Sequence, residues 1–176
     1  MLPLLHGRAS EPGAEVGTVV TGTSKSQNMI AAAVQKFALE QLPGRFDAEE
    51  RIEQAIRSSR PLCPVALAVD YYPVIVDHFG FEGGDEALSV VARRLPAARL
   101  YRWAGAAFLV VLETNDAARL LLNAIPDRYA VRFRADGEVV EIPYSVRSKV
   151  FASSPADTAP DLSRRIDRWV ATPWLD

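Results

Sequence analysis

Asp136-Gly137 lies between two runs in which apolar and polar residues alternate. A two-residue hairpin loop needs positive φ at its central positions, and Asp-Gly is among the few pairs that accept this. Once the turn is placed, the register on both sides follows. Phe133 falls opposite Val140, Val131 opposite Ile142, and Tyr129 opposite Tyr144, while Arg132 meets Glu141 on the other face. One face is apolar and the other carries a charge pair, as in a half-buried antiparallel hairpin.

The rest of the chain divides around that hairpin. Val65-Ala66-Leu67-Ala68-Val69 follows Pro64 as a short apolar run and reads as a central strand buried on both faces. Pro73 suits the first turn of a helix that carries Val74, Ile75 and His78 and stops at Gly80. Gly83-Gly84 then reads as punctuation, with Asp85 as the N-cap of a helix bearing Leu88, Val91, Ala92 and Leu95 that Pro96 ends. Two strands are expected near 98–103 and 107–112, around a turn at Ala104-Gly105. Asn115 is placed to cap a helix with Leu120, Leu121 and Ala124, and a last helix starts near Asp161 with Leu162, Ile166 and Trp169 on one face.

Upstream, Met29, Ala33, Phe37 and Leu42 mark a helix over 26–42 that Pro43-Gly44 breaks. Asp47 and Glu50 read as a capping box for a second helix, with Ile52, Ala55 and Ile56 buried and an end near Ser59. Residues 1–24, rich in Gly, Ser, Thr and Pro, read as a loose tail, and 25–176 as a single domain. The order α-α-β-α-α-β-β-α-β-β-α implies an α+β sheet covered by helices.

Bulk properties remove several function classes. The net charge of −2 over 176 residues argues against a nucleic-acid binder, which carries a basic excess. No stretch approaches the roughly 20 apolar residues that span a bilayer, so no membrane insertion is expected. The single cysteine, Cys63, excludes an internal disulfide, fits a cytoplasmic setting and reads as a packed thiol. His6 and His78 stand far apart without a Ser or Cys partner. Arg164, Arg165 and Arg168 on one helix, and Arg93, Arg94, Arg99 and Arg102 in a looser cluster, read as solvated surface or as a patch for an acidic partner. Trp169 and Trp174 belong either to the core or to a docking surface.

Three segments, in order and at the right spacing, resemble the GGDEF family of diguanylate cyclase domains. Leu39-Glu40-Gln41-Leu42-Pro43-Gly44-Arg45 is similar to the family's LTGLPNR segment. Ala68-Val69-Asp70-Tyr71-Tyr72, Asp77-His78-Phe79-Gly80 and Gly84-Asp85 follow its DxDxFK…ND..GH..GD pattern. Arg102-Trp103-Ala104-Gly105-Ala106-Ala107-Phe108 sits where the family has R-Y-G-G-D-E-F. The string Gly83-Gly84-Asp85-Glu86 is one helix too early to be the signature. The resemblance implies a palm-like (ferredoxin-like) fold with a central antiparallel sheet flanked by helices.

It also implies a chemistry whose parts are missing. Family members join two GTP molecules by phosphoryl transfer, with divalent metal held by carboxylates on the first strand and in the signature turn. Those positions are Ala68 and Ala106 here, and the neighbouring signature acid is Ala107. Val76 replaces the guanine-reading Asn, Pro73 the Lys of the FK step, and no ADxALYxAK pattern is recognisable around 161–170. Counting back to the family's RxxD inhibitory site gives Leu95 and Ala98, so that site reads as absent. Arg102, Gly105 and Phe108 remain of the signature turn, and Gly84 and Asp85 of the nucleotide contacts. Asp70 reads as structural and Asp77 as a solvated helix residue.

Three functions stay open. The first is a non-enzymatic regulatory module that needs no cofactor and acts through protein partners or as a dimer, with the 26–42 helix mediating pairing. The second is a receptor for GTP or a cyclic dinucleotide, magnesium included, using Asp85 and the Gly83-Gly84 turn at a helix N-terminus. The third is an active cyclase with relocated metal ligands.

Overall fold

The computed structural model describes residues 39–135 and 138–172. Its elements are α1 (Arg45–Arg57), β1 (Cys63–Val69), α2 (Tyr72–Ala92), β2 (Leu100–Ala104), β3 (Ala107–Leu112), α3 (Asn115–Ala124), β4 (Arg128–Ala135), β5 (Glu138–Val150) and α4 (Ala159–Ala171). The strands form one antiparallel sheet in the order β2-β3-β1-β5-β4. This is the expected α+β architecture. The tail at 1–24 and most of the 26–42 helix lie outside the described residues, as does the turn Asp136-Gly137 itself. Among the described residues no helix is long and apolar enough to cross a membrane.

β1 is central because all seven of its residues are buried, which only a strand covered on both faces tolerates. Val65, Leu67 and Val69 face the layer of α2 and α3, with Leu88, Val91 and Ala118. Ala66 and Ala68 face α1 and α4, with Ile52, Leu162 and Ile166. The β4–β5 register is the one the sequence implied: Tyr129 pairs with Tyr144, Val131 with Ile142, Phe133 with Val140, and Arg132 with Glu141. Arg132 and Glu141 form an ion pair at 2.6 Å. Tyr129 and Tyr144 stack at 5.7 Å, and the Tyr144 hydroxyl donates to the Ala87 carbonyl at 2.8 Å, which fastens the hairpin to α2.

Three helix starts differ from the sequence reading. The capping box of α1 has Gly44 as N-cap, with Asp47 three residues in, accepting from the Gly44 N–H at 2.8 Å. Thr114, not Asn115, caps α3, and Asn115 Oδ1 instead accepts from the buried Cys63 thiol at 3.0 Å. Thr158 caps α4 through a box with Asp161.

The largest correction concerns Gly83-Gly84-Asp85. No turn exists there, and Asp85 caps nothing. α2 continues from Tyr72 to Ala92, and its one break is a kink at Gly80, where φ is +68° and ψ 180°. Only glycine occupies that region readily. Gly83 and Gly84 are buried inside the second limb. A Cβ on Gly84 would lie 2.7 Å from Val76 Cγ2 and 2.9 Å from the Tyr72 ring, so this glycine lets the two limbs of the kinked helix touch.

Gly84→Ala is therefore expected to destabilise the fold by about 1–3 kcal/mol through overpacking. Urea unfolding measures this; a neutral or stabilising effect would show that the limbs do not pack as described. Burial raises the pKa of Tyr144 above its ordinary value of 10.0, and burial raises Tyr72 and Tyr129 as well. A phenol whose pKa is raised on folding contributes stability that is complete below the unfolded value and is lost as pH climbs toward the folded one. Stability should fall above about pH 10, and Tyr144→Phe should make that alkaline decline shallower in pH-dependent thermal melts.

Candidate functional site

The C-terminal end of β1 and the β2–β3 turn meet at one end of the sheet. Ala68 pairs directly with Ala107 across the strands, and the Val69 N–H donates to the Ala106 carbonyl at 3.0 Å. The structure thus brings together Ala68, Ala106 and Ala107. The turn is made by Gly105, whose φ of +44° suits glycine, after a register shift between Arg102 and Ala104.

Arg102 and Phe108 hold this turn. They are cross-strand partners, the Arg102 guanidinium lies 5.7 Å from the Phe108 ring centre, and its Nη2 donates to the Gly105 carbonyl at 3.1 Å. The Arg102 backbone N–H donates to Pro43 O at 2.8 Å, which brings the 39–45 segment against β2.

The residues at this end do not fit a divalent cation. Three methyl side chains offer no oxygen, and magnesium needs hard oxygen ligands. Among the described residues no group of three His, Cys, Asp or Glu side chains is placed to hold a metal. The nearby carboxylate, Asp70, is already engaged. Arg147 Nε donates to Asp70 Oδ1 at 2.8 Å, and both side chains are about nine-tenths buried. The same guanidinium donates to the Trp169 and Val170 carbonyls, each at 2.9 Å, and lies 4.7 Å from the Trp169 ring centre. Arg147 therefore ties the end of β1 to the last turn of α4, where a cation complements the helix dipole.

A second long-range cluster supports the first. Arg45 donates to both oxygens of Asp167, at 2.9 and 2.8 Å, and Trp103 Nε1 donates to Asp167 Oδ1 at 2.9 Å. The start of α1, β2 and α4 are joined by it. Sequence reasoning found neither Arg147 nor Asp167. Their partners are 77 and 122 residues away, and no local pattern marks them.

The remaining candidates separate. Asp85 and Arg102 line a cavity of about 330 Å³ with Leu39, Glu40 and Leu42, on the α2 side of the sheet. Burial raises the Tyr72 phenol, the Asp85 charge adds to this, and Arg102 opposes it, so the three groups share one electrostatic environment. Leu95 is a core residue, and Ala98 is exposed in a single 3₁₀ turn, Ala97–Arg99. Asp77 and His78 are exposed, with His78 Nδ1 3.0 Å from Val74 O. Trp169 packs edge-on against Phe151 at 5.9 Å and is partly exposed; Trp174 lies outside the described residues.

Comparison with known proteins gives one consistent result. Residues 38–170 match the family model described as diguanylate cyclase, GGDEF domain. No curated protein matches the chain. Among solved structures, the diguanylate cyclase SiaD of Pseudomonas aeruginosa, in complex with its activator SiaC, is similar at 22% identity and a TM-score of 0.59, over 82% of this chain and 62% of that one. This chain thus spans less than two thirds of SiaD. The GGDEF domain of DgcB from Caulobacter crescentus, in complex with c-di-GMP, is similar at 17% identity and a TM-score of 0.60, over 73% of this chain and 81% of that one. The GGDEF domain of PA1120 (YfiN or TpbB) from Pseudomonas aeruginosa gives 24% and 0.58, over 73% and 87%.

Arg147→Ala should cost about 3–5 kcal/mol, because it strands a buried carboxylate and two helix carbonyls. Asp70→Ala should cost less, since Arg147 keeps both carbonyls. Equal costs in denaturant titrations would show that the carbonyl bonds contribute nothing.

Proposed function

The chain belongs to the GGDEF family of diguanylate cyclase domains, and from that premise we propose that it is a non-catalytic member acting through protein contacts in cyclic di-GMP signalling. The observation that carries this reading is the convergence of Ala68, Ala106 and Ala107 at the β1 end and the β2–β3 turn. Phosphoryl transfer between nucleotides depends on metal neutralising the triphosphate charge, and these side chains have no atom that binds metal. The scaffold around them is complete, which fits a domain kept for its surface. SiaD, which shares the fold, is a diguanylate cyclase bound to a protein activator. The partner proposed here is another protein or a second copy, met in the cytoplasm.

A second reading rests on the cavity beside α2. Its charged walls are Glu40, Asp85 and Arg102; Asp85 suits a guanine edge and Arg102 a phosphate, so GTP or a cyclic dinucleotide is the ligand it would take.

Incubation with GTP and either magnesium or manganese is expected to yield no cyclic di-GMP or linear dinucleotide by chromatography. Product at a rate above the protein-free control would overturn the non-catalytic reading. Calorimetry with GTP and cyclic di-GMP separates the second: micromolar binding that Asp85→Ala removes would make the domain a nucleotide receptor.

A further inference from the structure

Among the described residues, one edge of the sheet is only half covered by a strand. β4 pairs with β5 from Glu138 to Ser145, and β1 pairs along the other side of β5 from Val146 to Val150. Backbone bonds fix which groups face which side. Asp70 N–H donates to Ser145 O at 3.0 Å, and Phe151 N–H to Pro64 O at 2.8 Å, so the odd-numbered residues turn toward β1. Val146 N–H donates to Asp127 O at 3.0 Å on the far side. By the alternation of an antiparallel ladder, the N–H and C=O groups of Ser148 and Val150 point outward. No described strand meets them there.

A groove of about 350 Å³ runs beside this edge, between the end of β5 and α4. Phe151 and Trp169 make its apolar floor. Lys149, Arg165, Arg168 and Thr172 form its walls. Lys149 Nζ stands 5.4 Å from the Phe151 ring centre. Arg165 is paired with Asp157 at 3.0 Å, whereas Lys149 and Arg168 have no carboxylate within ion-pair distance among the described residues.

We propose that this edge binds an extended acidic segment of a partner protein as an added strand. Outward N–H and C=O groups supply main-chain hydrogen bonds, the mode by which extended peptides join a sheet edge. Alternate side chains of the added strand then reach the groove, where acids meet Lys149 and Arg168 and an apolar side chain rests on Trp169. A second copy of the same edge is disfavoured, because it would set Lys149 and Arg168 against their own counterparts. A lysine on an open edge blocks self-pairing for the same reason. The proposal rests on the reading that the domain works through protein contacts and names the chemistry of that contact.

The test uses the full chain and two short fluorescein-labelled peptides, one alternating glutamate with valine and one alternating lysine with valine. The glutamate peptide should give saturable anisotropy, weakened by salt, and the lysine peptide none. Lys149→Glu with Arg168→Glu should weaken glutamate-peptide binding at least about tenfold. Amide exchange followed by NMR should show new protection at Val150 when the glutamate peptide is added. That readout needs no variant and does not depend on the charge-reversed protein folding. Equal binding of both peptides, no saturable binding, or charge reversal without effect would overturn the proposal. Charge-dependent binding without protection at Val150 would overturn strand addition. None of these results bears on GTP turnover, so failure here is distinguishable from failure of the non-catalytic reading.

Discussion

The guanidinium of Arg147 is the contact on which the end of this sheet depends. It meets one carboxylate and two helix carbonyls, and its face lies against the Trp169 ring. A buried cation is tolerated only when its donors are answered, and here a charged partner and the negative end of a helix do so together. The pair also decides what Asp70 is available for. A carboxylate held by a buried arginine at the last turn of a helix is committed to structure. Arg45 and Asp167 repeat the device with more solvent around them, so α4 is tied at two points, to β5 through Arg147 and to the start of α1 through Arg45.

The legible parts of the sequence were those in which cause and effect are local. Reading Asp136-Gly137 as a turn implied four cross-strand pairs that β4 and β5 do form, because a hairpin register propagates residue by residue. The apolar run at 65–69 announced a strand buried on both faces for the same reason. At Gly83-Gly84-Asp85 the local signal misled. Two glycines before an aspartate normally read as a turn and a cap, but both glycines are helical and one gives way to Val76 and Tyr72. Tertiary contact overrode propensity there, and the one break is at Gly80, where the sequence also ended a helix. Arg147 and Asp167 were illegible because their meaning arises from partners 77 and 122 residues away.

At the candidate site, the three alanines read from the signature spacing do meet in space. The spacing could not show how thoroughly the sheet has closed around them. Ala66, Ala68 and Ala107 belong to one packed layer with Ala48, Ala55 and Ala159, and small side chains let α1 and α4 sit close to the strands. Ala106, half-buried at the turn, is the member that retains contact with solvent.

This packing makes the absence of acids part of the fold. Ala68 is 5% exposed and Ala107 1%. A carboxylate placed at either would be desolvated against aliphatic neighbours, a cost it escapes only by taking up a proton or finding a charged partner. An acid at Ala68 or Ala107 would therefore strain this end of the sheet, whereas half-buried Ala106 would accept one more readily. Arg102, Gly105 and Phe108 build the turn that closes the layer at this end, and that role needs no metal.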